Sequence, residues 1–219
     1  MATLKYYVSN TATPYTPATI RGTWTVTQTT ILKLDSAPSG TSTAPASNSR
    51  SDGGVWTALI SRFVSDGLAA TTTFTTSNVV NLVFGGAVNN ATNTGGNFDL
   101  YIYITTGDSD TPRGTILTNT VFSDTLTTTG TGRGNSANLT GGVTAQVGDR
   151  IVVEVGWQKS GSATGARTGN MWAGDTGADL TLGSTSVTTL AGWITITTTD
   201  AAGASVRGIS MTTSKFWGS

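Results

Sequence analysis

The sequence predicts an all-β protein, an antiparallel jelly-roll-like β-sandwich with extended N- and C-terminal arms, and three observations lead there. Threonine is the commonest residue, roughly one in five, and a β-branched side chain carrying a hydroxyl suits strands that keep one face wet. Long helix formers are scarce: Glu154 is the only glutamate and there are four lysines, so very little helix is expected. Short apolar runs that alternate with period two recur between Gly-, Ser- and Asn-rich turns, the pattern of a sandwich or jelly roll. A chain of 219 residues can bury one sizeable core. The expected division is an arm over 1–54, a sandwich core over 55–198 and a tail over 199–219.

In order, residues 1–20 hold one aromatic-rich run, Leu4-Lys-Tyr-Tyr-Val8, followed by Pro14 and Pro17. Proline gives no N–H to a ladder, so an extended arm with at most an edge strand is expected. Gly22–Val26 and Ile31–Leu34 read as short strands, and Asp35–Gly54 as a loop of Ser, Pro, Ala, Gly and Asn. Val55–Val64 fits a strand, although Val55, Leu59, Ile60 and Phe63 also match helical spacing. As a strand it puts Leu59, Ser61 and Phe63 on one face and Ile60, Arg62 and Val64 on the other. Leu68–Thr76 and Val79–Phe84 follow, then a loop over Asn89–Gly96. Asn97–Thr105 is expected to bury Phe98, Leu100, Ile102 and Ile104 and to turn Asp99, Tyr101 and Tyr103 outward. Thr115–Phe122 and Asp124–Thr129 are expected strands, with Gly130–Gly134 a loose segment between them and the next hairpin. That hairpin, Val143–Trp157, turns at Gly148-Asp149, buries Ile151, Val153, Val155 and Trp157, and leaves Arg150, Val152, Glu154 and Gly156 on a more open face. Lys159–Gly169 is a loop; Asn170–Trp172, Leu180–Leu182 and Leu190–Thr198 give the last strands.

Composition then narrows function. Twelve basic and twelve acidic residues balance, and charged residues make up 11% of the chain. So few cations argue against a nucleic-acid partner, while a neutral polar surface suits a permanent assembly. Without cysteine there is no disulfide and no thiolate; without histidine the commonest general base and metal ligand are missing. No apolar run of about 18 residues is present to span a membrane. The Met-Ala-Thr start lacks a secretory h-region, so synthesis in the cytoplasm without a signal peptide is expected. The expectation is a chain that is not an enzyme and uses no cofactor and no metal.

Asp108-Ser-Asp110 begins like a calcium loop but lacks a third ligand, a Gly and a distal Glu, so an Asx turn before Pro112 is the fuller account. Glu154 is expected to pair with Arg150 or Arg62 at a sheet surface rather than to serve a hydrolytic carboxylate pair. Aromatics carry the binding readings. Tyr6 and Tyr7 in the first arm and Phe216 and Trp217 in the tail are candidate interface residues, because rings exposed on a free monomer make sense when docked on neighbours. Tyr101, Tyr103 and Trp172, close to Asp and Asn, are the candidate glycan platform.

An unprocessed Met-Ala-Thr start, a Thr/Gly-rich all-β body without Cys or His, the run Val147-Gly-Asp-Arg-Ile-Val-Val-Glu-Val155, the loop Thr106–Gly114 and the segment Leu182–Trp193 together resemble virion structural proteins of tailed bacteriophages. The resemblance implies a capsid-decoration or minor capsid or tail subunit, located in the virion, with copies of itself and other virion proteins as partners. It carries over no functional residue. The Val-Gly-Asp-Arg type of hairpin also occurs in carbohydrate-binding sandwiches, so adhesion to host-surface glycans is the alternative.

Overall fold

The structure, a computed structural model, describes residues 1–15, 19–41, 46–50, 54–89, 96–159 and 166–200. Among them are β1 (Ala2–Ala12), β2 (Ile31–Asp35), β3 (Ala46–Arg50), β4 (Trp56–Ser65), β5 (Thr72–Phe74), β6 (Val79–Val88), β7 (Gly96–Thr105), β8 (Pro112–Thr125), β9 (Thr131–Asn138), β10 (Val143–Ala145), β11 (Arg150–Lys159), β12 (Arg167–Trp172) and β13 (Trp193–Thr198), with no helix. The all-β sandwich expected from threonine content and alternation is what forms.

One layer runs β8-β7-β11-β4. The other has β6 at its centre, with β9 along one side and β13 and β12 end to end along the other. β1 follows β13, and β2 then pairs antiparallel with β1 and parallel with β4, so the sheet curls from one layer into the other. The parallel β2–β4 pair is a departure from the purely antiparallel sheet expected. Between the layers lies one cluster: Ile102, Ile151, Val153 and Trp157 from the first layer meet Leu4, Tyr6, Leu82, Phe84, Ile194 and Ile196 from the second.

Several expectations change. The N-terminal stretch is no arm: β1 is an interior strand, with Leu4 opposite Ile196 and Tyr7 opposite Trp193. Pro14 falls after the strand ends, so the ladder keeps its donors. Part of the supposed loop Asp35–Gly54 is β3, which pairs with β12, and part of the supposed loose segment at Gly130–Gly134 is β9. Leu180–Leu182 is not a strand. The Val143–Trp157 segment is not a hairpin either: β10 pairs with β5, while β11 lies between β4 and β7. Its turn chemistry is as expected, with Gly148 at φ 86° and the Asp149 carboxylate accepting the Gln146 N–H at 2.7 Å. The tail beyond residue 200, with Phe216 and Trp217, lies outside the described residues.

The face of β11 expected to be open is covered. Arg150, Val152, Glu154 and Gly156 are all buried, because residues 13–15 and 19–30 cover them. The cover is fixed by polar anchors. Glu154 accepts the backbone N–H of Arg21 and of Gly22 at 2.7 and 2.8 Å and the Trp24 indole N–H at 2.7 Å. Asn119 accepts from Thr23 N–H at 2.6 Å, and the Tyr103 hydroxyl donates to the Thr19 carbonyl at 3.1 Å. The Arg150 guanidinium lies 3.1 Å over the Tyr15 ring. Gly156 permits the approach, since a Cβ there would run into the Trp24 ring and the Ala58 carbonyl. Glu154 is therefore not the surface ion-pair partner expected but a buried acceptor with three donors, opposite Arg62 on β4.

Candidate ligand-binding groove

On the outer face of the second layer, register lines up side chains from four strands. Residues opposite one another in antiparallel strands share a face. One transverse row is thus Gly134, Val83, Trp193 and Tyr7, and the next is Ser136, Asn81, Thr195 and Lys5. The first row is aromatic and apolar; the second is amide, hydroxyl and ammonium. The segment from Ala173 to Gly192 stands over one end of the rows as a wall. It is fastened by Leu180 N–H to the Ala191 carbonyl at 2.9 Å and by Trp193 Nε1–H to the Leu180 carbonyl at 2.9 Å. Val83, Leu180 and Val187 pack beneath it as a small core of their own, with Trp172, Leu190 and Trp193 against them.

Rows and wall enclose an open groove of about 460 Å³, lined by Asn81, Ser136, Asp179, Leu182 and Trp193 among others. That size falls within the roughly 300–1,000 Å³ typical of small-molecule sites. Asn81 Nδ2 stands 3.5 Å from Thr195 Oγ1, too long for a strong bond, so the Asn81 amide that lines the groove keeps donor capacity for a ligand. At the wall, Asp179 takes the Lys5 ammonium on one carboxylate oxygen and the Tyr7 hydroxyl, at 2.9 Å, on the other. Lys5 also lies 5.2 Å from the Tyr7 ring centre and 5.4 Å from that of Trp193. The Lys5 ammonium holds the Asp179 carboxyl below its usual range, against the opposing pull of partial burial and with help from Tyr7. For Lys5, partial burial pulls the ammonium down, but Asp179 and Tyr7 outweigh it and the net direction is up.

The residues singled out in the sequence fall differently. Tyr6 is buried in the shared core at 5% exposure, so it cannot dock a neighbour. Its burial pushes the phenol up. Tyr7 does face outward, but its hydroxyl is engaged by Asp179 at the wall of the groove. Tyr103 is fully buried beneath the N-terminal cover, and Tyr101, half-buried, shares a 2.7 Å hydrogen bond with Thr115 Oγ1. Trp172 is on the other layer, packed beside Val187. The glycan platform expected at Tyr101, Tyr103 and Trp172 is therefore not assembled: Tyr103 lies under the strap formed by the N-terminal cover, Tyr101 is half-buried beside it, and Trp172 is on the other layer. Asp108 and Asp110 do not form a cation loop. Asp108 pairs with Arg150, and Asp110 accepts the Thr19 N–H at 3.1 Å and sits 3.9 Å from Arg21. Among the described residues no group of three or more acidic side chains gathers as metal ligands would.

Asp99, expected to face outward, is 1% exposed. Burial pushes its carboxyl up to about 6, against the Asn119 amide and the Thr120 and Leu100 N–H groups that favour the ionised form. With the folded value above the unfolded one, the native state holds a proton that the unfolded chain has already released between roughly pH 4 and 6. Stability therefore falls as pH rises through that window. Asp99→Asn is expected to flatten this slope and to stabilise the protein at pH 7 by about 2 kcal/mol. Urea unfolding of both proteins between pH 4 and 7 measures it; parallel curves would assign the slope to other groups.

No protein-family model matches the sequence, and no curated protein matches it. Solved structures do align. An alpha-amino acid ester hydrolase labelled with selenomethionine is 8% identical over 90% of this chain and 36% of its own, with a TM-score of 0.47. An aminopeptidase from the marine sediment archaeon Thaumarchaeota archaeon is 12% identical over 89% of this chain and 36% of its own, also at 0.47. The VP2 subviral particle of infectious bursal disease virus is 15% identical over 71% of this chain and 40% of its own, at 0.22. The chain thus spans about a third of the length of the two hydrolases. With those two hydrolases as its structural neighbours, the expectation that the chain is not an enzyme is withdrawn. The alignments bring no catalytic residue with them, since a likeness at such identity says nothing of a site.

Proposed function

We propose that the chain is a saccharide-binding β-sandwich module whose site is the groove over Trp193 and Asn81. One observation carries this reading: register places an aromatic row directly beside a row of amide and hydroxyl groups on one open face. A sugar ring has an apolar C–H face and an equatorial rim of hydroxyls. Trp193 suits the first, and Asn81, Ser136 and the Asp179 carboxylate suit the second. The moderate volume and open shape fit a ligand that lies along the groove rather than one swallowed by a closed cavity.

A mixed array of immobilised glycans, followed by calorimetry on the hits, tests this. Trp193→Ala is expected to weaken binding at least about tenfold, near 1.4 kcal/mol, and Asn81→Ala to weaken it less. A glycan-binding signal unchanged in Trp193→Ala would remove the groove from consideration. A virion setting, with the module presented as a decoration or minor structural subunit, is supported by the sequence resemblance and by the low, balanced charge. Sedimentation of the purified protein tests that setting: self-association at micromolar concentration is expected, and a monomer throughout would count against it.

A further inference from the structure

We propose that the groove selects uncharged saccharides, and that Asp179 sets this selection by neutralising Lys5. The inference rests on the saccharide-binding reading and adds which saccharides are taken. Asp179 is the one charged residue lining the groove among the described residues. Lys5 projects from the same face through the Thr195 row and reaches it. Both carboxylate oxygens are engaged, one by the ammonium and one by the Tyr7 hydroxyl. The Lys5 ammonium also lies within cation–π range of the Tyr7 and Trp193 rings.

The ammonium is thus not offered to the ligand as a bare cation, and the groove presents no net charge. A hydroxyl can still donate to a spare lone pair of Asp179 or accept from a remaining Lys5 N–H, because a carboxylate and an ammonium each have more hydrogen-bonding capacity than this pair uses. A sugar carboxylate gains no free cation and is set beside the Asp179 carboxylate, a like charge, which disfavours it. Lys5 alone would favour acidic sugars; the pair makes the same position discriminate against them. Asp179 is in this sense a specificity-determining residue, acting through the charge of Lys5.

The test uses neutral tetrasaccharides of gluco-, galacto- and manno-configuration and their uronic acid counterparts, titrated into wild-type protein and Asp179→Asn. The wild type is expected to bind a neutral sugar about threefold to fivefold more tightly than its uronate. Asp179→Asn, with Lys5 released, is expected to equalise or reverse that ratio. In the wild type alone, the ratio is expected to shrink as salt is raised, a readout that stands even if the variant folds poorly. Uronates bound as tightly as neutral sugars, or a ratio indifferent to both salt and the substitution, would overturn the role of Asp179 while leaving saccharide binding in place. No binding by any of these sugars would overturn the saccharide reading itself and this inference with it.

Discussion

Replacing Glu154 with alanine is expected to destabilise the protein by about 3–5 kcal/mol, the range for removing one side of a buried charged site. The carboxylate is fully buried on β11. It is the common acceptor for two backbone N–H groups and one indole N–H of residues 21–24. Alanine deprives all three donors at once, beneath a cover that keeps water out. Each buried donor left unmade costs about 1–3 kcal/mol, partly recovered if the strap loosens enough to admit water. It also withdraws the negative charge facing Arg62, which is 2% exposed on the neighbouring strand. Glu154→Gln keeps the shape and one acceptor oxygen, so about half the loss is expected. Urea unfolding gives the magnitude, and tryptic cleavage at Arg21 reports whether the strap has lifted. A loss under about 1 kcal/mol for alanine would mean that packing of Tyr15 and Trp24, rather than the carboxylate, holds the segment down. Glycan binding is expected to survive, because Glu154 and the groove lie on the outer faces of opposite layers.

The strap also shows where sequence reasoning reached its limit. Alternation in β7 and β11 correctly separated the residues of the shared core, since Phe98, Leu100, Ile102, Ile104, Ile151, Val153, Val155 and Trp157 all lie in it. Alternation tells which residues share a face but not what covers the other face. The segment that covers it contacts β11 across more than 130 positions of sequence, as Arg21 to Glu154 does. A β-bulge explains a second difficulty. Glu154 and Val155 of β11 face Arg62 and Ser61 of β4, but Gly156 faces Leu59, so Ile60 is the extra residue. The core residues of β4 are accordingly Ala58, Ile60 and then Phe63. This change of phase is why the segment also fits a helical spacing, and why strict alternation puts Ile60 and Phe63 on opposite faces although both lie in the core. The groove was legible only in pieces. Trp193 and Tyr7 each sit at an outward position in an alternating run, but their adjacency depends on pairing between the first and last strands. No local pattern encodes that partnership.

Truncating Trp157 to alanine is expected to cost about 3–5 kcal/mol, as for other large buried aromatics. The indole is 1% exposed and meets Trp56 edge to face with centroids 4.8 Å apart. Its surroundings are built to the shape of the ring. Gly96 at the start of β7 and Gly169 on β12 press against it so closely that a Cβ on either would collide with it. Its Nε1–H donates to the Asn48 carbonyl of β3 at 3.3 Å. One side chain therefore joins β11 and β7 of one layer to β12 and β3 of the other, and the glycines that flank it leave no side chains able to fill the space it vacates. Cavities that cannot collapse lie at the costly end of the range. Trp157→Phe restores most of the volume but not the hydrogen bond to β3, and about 1–2 kcal/mol is expected. The ordering alanine, phenylalanine, wild type in urea midpoint checks the argument. Equal losses for the two variants would shift the weight from ring volume to the Asn48 hydrogen bond. Gly169→Ala supplies the converse case: it introduces the colliding Cβ while leaving the indole in place, and destabilisation of about 1–3 kcal/mol is expected from overpacking at the same junction.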